Sequence, residues 1–167
     1  MKLQFLSNPV VALSVLSALG LGLAHTISQA DEAGEDAEVR QITLKPDQTG
    51  MQFDVTEFTV AAGQPVRITF ENVSPVPLPH NVLILKPGTL AKVGALANAM
   101  LADPQALAKE YIPETDDILF HTSLIQPNET KDLEFIAPEE PGEYPYTCTF
   151  PGHWMIMQGV MTVEAAE

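Results

Sequence analysis

From Val39 onward, apolar and polar residues alternate in short runs separated by turn-forming residues. Alternation over four to eight residues marks a half-buried β-strand, because successive side chains point to opposite faces of a sheet. Val66, Ile68 and Phe70, set against Arg67, Thr69 and Glu71, give the cleanest case. Ile42 and Leu44 predict a strand over 40–45. Met51, Phe53 and Val55 predict the next, which Phe58 and Val60 continue after a change of phase that reads as a bulge or bend. The run Val82-Leu83-Ile84-Leu85 has no polar alternation and predicts a strand buried on both faces. Further strands are predicted over 118–122, 130–136, 143–149 and 158–164, with Met161 and Val163 on the core side of the last. Pro46–Gly50, Ala62–Pro65, Pro127–Glu129 and Pro138–Gly142 supply the turns between them.

One segment breaks this rhythm. Leu90, Val93, Leu96, Ala97, Met100 and Leu101 fall at helical spacing, with Thr89 placed to cap the start and Asp103-Pro104 to end the helix. Met100 and Leu101 read as core, and Leu107 and Tyr111 as a further short turn. About eight strands with one helical insertion near 89–110 predict an all-β fold, a Greek-key β-sandwich formed by residues 39–167.

The first 38 residues have a different character. Met1-Lys2 starts positive, Val10 to Ala24 carries no charge over 15 residues, and Ser28-Gln29-Ala30 offers a small-x-small cut site. That is the pattern of a signal peptide over 1–30, and the run is short of the roughly 20 residues a membrane span needs. Cleavage and export to the periplasm are expected, with an uncleaved N-terminal membrane tether as the other outcome. Residues 31–38 are acidic and nearly free of bulky side chains, the composition of a disordered lead. Beyond residue 30 the chain keeps 7 of its 8 basic residues and all 22 acidic ones, a formal charge of −15. This excludes nucleic acid and anionic membrane surfaces as partners and favours encounter with basic proteins.

The chemistry concentrates in Cys148-Thr149-Phe150-Pro151-Gly152-His153-Trp154-Met155-Ile156-Met157. This stretch holds the only cysteine, so the chain has no internal disulfide. Thiolate, imidazole and thioether together suit one soft or borderline metal ion. Two histidines and one cysteine with a weak axial methionine are the ligand signature of a blue-copper electron-transfer site. The stretch supplies three of the four donors, and Met155 and Met157 are both available as the thioether. His80, which follows Pro75, Pro77 and Pro79 and opens a strand, is the candidate for the second imidazole. His25 lies in the signal region. The sequons Asn72-Val73-Ser74 and Asn128-Glu129-Thr130 are short, chance-prone motifs of little weight.

These residues resemble the azurin-like cupredoxins, the group of azurin and the auracyanins. His80-Asn81, the spacing from Cys148 through His153 to Met157, the segment His121-Thr-Ser-Leu-Ile and the 67 residues between His80 and Cys148 carry the likeness. The resemblance implies a type 1 copper held by His80, Cys148, His153 and Met157, the last chosen over Met155 by the family spacing. It leaves His121 a non-ligand. It also implies that the backbone N–H groups of Asn81 and Phe150 bond to the Cys148 sulfur. The edge of His153 would reach the surface within an apolar ring of Leu78, Pro151, Trp154 and Met155. Pro79 stands where azurins have a glycine whose carbonyl lies near the metal, which points to a four-coordinate site.

A monomeric one-electron carrier follows, working with redox proteins such as c-type cytochromes. It is not an enzyme and has no small-molecule substrate, because a fully ligated site leaves no open place. Multicopper catalysis would need His-x-His or His-Cys-His patterns, and neither occurs. Copper storage or delivery is the alternative, though it favours exchangeable sites rather than a rigid thiolate one.

Overall fold

The structure, a computed structural model, describes residues 38–166. The expected signal peptide, and all of the acidic lead except Glu38, lie outside the described residues. Among the described residues, eight strands form two packed sheets: β1 (Arg40–Leu44), β2 (Glu57–Ala61), β3 (Pro65–Glu71), β4 (Leu83–Leu85), β5 (Ile118–His121), β6 (Thr130–Ile136), β7 (Gly142–Thr147) and β8 (Gln158–Glu164). One sheet has the order β1-β3-β6 and the other β2-β8-β7-β4-β5. The expected two-sheet sandwich is therefore the fold. Two pairs, β1 with β3 and β2 with β8, are parallel. The chain crosses from one sheet to the other as β2 before returning as β3, which supplies the long crossover that a parallel pair requires.

The core lies between the sheets, where alternation delivers Leu44, Ile68 and Phe70 from one side and Val60, Tyr146 and Met161 from the other. Burial of each such side chain contributes about 1.5–3 kcal/mol. Tyr146 packs against Phe53 and Phe58 and donates its hydroxyl to the Val55 carbonyl at 2.6 Å. Gly159 on neighbouring β8 makes this possible: a Cβ there would lie 2.3 Å from the Tyr146 ring and 2.5 Å from the Thr56 carbonyl.

The expected strand through Met51–Val55 is not a ladder. Only Phe53 pairs there, in an isolated bridge to Pro46, and regular pairing begins at Glu57. Asp47 explains the difference, since its carboxylate accepts the backbone N–H groups of Thr49, Met51 and Gln52 and winds the segment into a turn.

The helical insertion is α1 (Leu90–Ala99), continued by one 3-10 turn, Met100–Ala102. Thr89 stands at the N-cap position, but its hydroxyl donates to the Lys86 carbonyl and caps no helix N–H. Val82 and Ile84 of the apolar run face the sandwich core, whereas Leu83 and Leu85 face outward and pack with Val93 of α1. The insertion therefore covers the outer face of β4. Met100 is buried as expected, but Leu101 is 62 % exposed. Leu101 falls in the 3-10 turn that ends the helix, where the apolar stripe finds no cover. Leu107 is also exposed, in the irregular turn that follows.

Candidate metal centre

Strand pairing brings the expected ligands together. β4 and β7 are antiparallel with Leu83 opposite Thr147, so the residues before β4 and after β7 meet at one end of the sheet. β7 and β8 pair Thr147 with Gln158, which makes 148–157 a hairpin loop whose ends stay side by side. The Cys148 N–H donates to the Met157 carbonyl at 3.0 Å. Within the loop, Gly152 takes a positive φ of 84°, and the N–H groups of Ile156 and Met157 donate to the His153 carbonyl. Thr147 Oγ1 adds a bond to the Met157 carbonyl at 3.1 Å. His80 is tied separately, exchanging both backbone hydrogen bonds with Ile125.

The donor atoms of His80, Cys148 and His153 all lie within 4.8 Å of one another, and all three residues are buried. Cys148 Sγ is 3.8 Å from Nδ1 of His80 and 3.6 Å from Nδ1 of His153. With zinc bond lengths as a gauge, ~2.0–2.1 Å to nitrogen and ~2.3 Å to sulfur, a trigonal ion separates the two atoms by about 3.8 Å. The spacing thus fits a metal ion between them, and two imidazoles with a thiolate select copper of the blue type. Met157 is fully buried, whereas Met155 is 60 % exposed, in keeping with Met157 as the thioether donor.

Burial sets the protonation of these groups. His80 is pushed down to about 4 by burial and, secondly, by the neighbouring His153, and burial lowers His153 as well. Both imidazoles are neutral at neutral pH, as ligands must be. Burial pushes the Cys148 thiol up to about 12, while the backbone N–H groups of Asn81 and Phe150 pull the other way by bonding to its sulfur. These are the two donors the resemblance implied, and bonds of this kind tune a metal–thiolate centre.

Asn81 also braces the site through its side chain. Its Oδ1 accepts from the N–H of Thr149 at 2.7 Å and from the Thr149 hydroxyl at 3.2 Å. Its Nδ2 donates to the Glu110 carbonyl at 3.0 Å. The rings of His80 and His153 lie 5.0 Å apart, and Phe150 packs on His153 at the same distance.

Residues 40–164 match the family of copper binding proteins described as plastocyanin/azurin. The chain belongs to this family. It is 38 % identical to auracyanin-A of Chloroflexus aurantiacus over 152 residues, covering 90 % of this chain and 89 % of that protein. It is 28 % identical to azurin of Pseudomonas aeruginosa over 158 residues, covering 93 % and 97 %. The solved structure of auracyanin A, a "blue" copper protein from the same Chloroflexus species, aligns with a TM-score of 0.66 at 35 % identity, over 76 % of this chain and all of that one. The cofactor of this cupredoxin is type 1 copper at His80, Cys148, His153 and Met157.

Several expectations for this cupredoxin change in detail. His153 is only 2 % exposed, because Phe150 and His80 cover its ring, so the expected surface edge is nearly closed. Trp154 is half-buried against α1 and does not widen the outer patch, while Met155 and Ile156 remain exposed. His121 is exposed at the end of β5, outside the ligand cluster. Asn72 is buried: its Nδ2 donates to the carbonyls of Leu78 and Ile125 and staples the proline segment before His80. That burial removes the first sequon as a modification site. The bracing roles of Asn72, Thr149 and Glu110 escaped sequence reasoning, because nothing in their local pattern signals a partner so distant along the chain.

Proposed function

We propose that this protein is a one-electron carrier, working outside the cytoplasm between redox protein partners. The observation that carries the reading is the buried convergence of both Nδ1 atoms on Cys148 Sγ. Bound copper supplies the one-electron Cu(I)/Cu(II) couple. The chain's own part is to hold its donors still. Two strand ends, a paired hairpin loop and the Ile125 bridge fix the ligands, so little rearrangement accompanies a change of charge. Four protein donors leave no place for substrate, in accord with a family of electron carriers that are not enzymes. A storage or delivery role would call for an exchangeable site, and these donors are buried and tied from several directions.

Export is supported by the apolar run Val10–Ala24 and the small residues ending at Ala30. The acidic surface suits steering towards a basic partner such as a c-type cytochrome, with contact through the apolar residues Met155 and Ile156. Visible absorption and EPR spectra of residues 31–167 with Cu(II) test the core of the reading. An intense thiolate-to-copper band with narrow hyperfine splitting, lost in Cys148→Ser, is expected. A pale protein with an ordinary copper signal would remove Cys148 from the site. Transfer rates with a basic cytochrome should fall as salt rises, and flat or rising rates would refute the steering.

A further inference from the structure

Residues 89–111, the helical insertion with the turns that follow it, touch the metal-ligand loop and its support at Trp154, Asn81 and Phe150. Val93 of α1 packs on Leu83 and Leu85, which fixes the helix on β4. The next residue, Gly94, lies under the indole of Trp154: a Cβ on Gly94 would sit 2.3–2.6 Å from three of its ring carbons. One helical turn on, Asn98 Oδ1 accepts the Trp154 Nε1–H at 3.0 Å. Trp154 directly follows the ligand His153. The other two contacts come from Glu110 and Tyr111, which both take left-handed backbone conformations with φ of 56°. Residues other than glycine hold such conformations only where the surroundings enforce them. The turn they make aims the Glu110 carbonyl at Asn81 Nδ2, 3.0 Å away, and sets the Tyr111 ring edge-on to Phe150 at 5.3 Å. Asn81 and Phe150 are the two residues whose N–H groups bond to the Cys148 sulfur.

We propose that the insertion is a clamp on the metal-ligand loop, with Gly94, Asn98 and Tyr111 as positioning residues for His153 and Cys148. A helix that only covered β4 would need Val93 and its neighbours, but neither a glycine facing the loop nor a strained turn reaching Asn81 and Phe150. Glycine weakens a helix interior relative to alanine, so its presence at 94 opposes helix stability and serves the indole.

Trp154 is the only tryptophan in the chain, so its emission reports the clamp in metal-free protein. The test compares Gly94→Ala, Asn98→Leu and Asn98→Asp with the parent. In Gly94→Ala and Asn98→Leu, Trp154 emission should shift to the red. Amide hydrogen exchange across 148–157 should rise at least about five-fold, the low end of what an overpacked contact costs, while the amides of β3 and β6 hold their rates. Asn98→Asp keeps the acceptor and should stay within about two-fold of the parent. Unchanged emission in Gly94→Ala would overturn the proposal, as would a red shift with unchanged loop exchange. So would an equal rise in the sheet amides, which would mean general destabilisation. Copper(I) release to a chelator should rise in the same two variants, and only this last readout rests on the copper reading. Loss of the loop's protection in a protein that never binds copper would leave the clamp standing and sink the copper reading instead.

Discussion

Acidifying the metal-free protein from neutral pH to pH 4 should remove about 3 kcal/mol of its stability through His80. The ring is fully buried beside Phe70 and His153, and this burial, with His153 second, holds its pKa down from 6.5 to about 4. Between these two values the unfolded chain binds a proton that the folded chain refuses. Stability therefore rises with pH across the window, is fully present above pH 6.5, and is lost as pH falls towards 4. A difference of roughly 2.5 pH units at ~1.36 kcal/mol per unit gives the figure. His153, lowered by burial, adds a loss of the same sign. Asp47, Asp103 and Asp117 are held below the usual carboxylate range, chiefly by side-chain or backbone hydrogen bonds, so their losses set in only below about pH 5 and fall mostly beneath the histidine window. The assay is urea unfolding of copper-free protein, followed by circular dichroism at half-unit steps from pH 7 to pH 4. A loss of this size is a large share of the ~5–15 kcal/mol typical of a domain. Unfolding free energies that stay flat across the window, or an undiminished slope in His80→Gln, would refute the reasoning.

Three substitutions test the framework around the site. Asn81→Leu strips partners from the buried Thr149 N–H and from the Glu110 carbonyl and should cost about 2–4 kcal/mol in urea unfolding; a loss under about 1 kcal/mol would show that the bracing is dispensable. Gly159→Ala forces a methyl into the Tyr146 ring and the Thr56 carbonyl and should cost at least about 1–3 kcal/mol, so an unchanged melting temperature would contradict the close packing. Tyr146→Phe leaves the Val55 carbonyl without its donor and should lower stability by about 1–2 kcal/mol, measured by the same unfolding assay.

The sequence by itself determined the strand positions, Met51–Val55 excepted, and the ligand loop, because both are local properties. Period-two alternation places Ile68 and Phe70 on one face whatever the partner strand, and the distances along the chain between Cys148, His153 and Met157 are short enough for one hairpin to hold them. His80 was legible only through its own strand and the resemblance, since its place beside Cys148 depends on β4 pairing with β7. Tertiary structure alone decided which strands run parallel, that Leu83 and Leu85 look outward to a helix, and that Leu101 and Leu107 stay in solvent. Periodicity says which residues share a face, not which part of that face finds a partner. It also could not show that Trp154 turns onto Gly94 and Asn98, or that Asn72 lies buried against Ile125, because those contacts join residues 53 to 60 positions apart in the chain through packing and not through pattern.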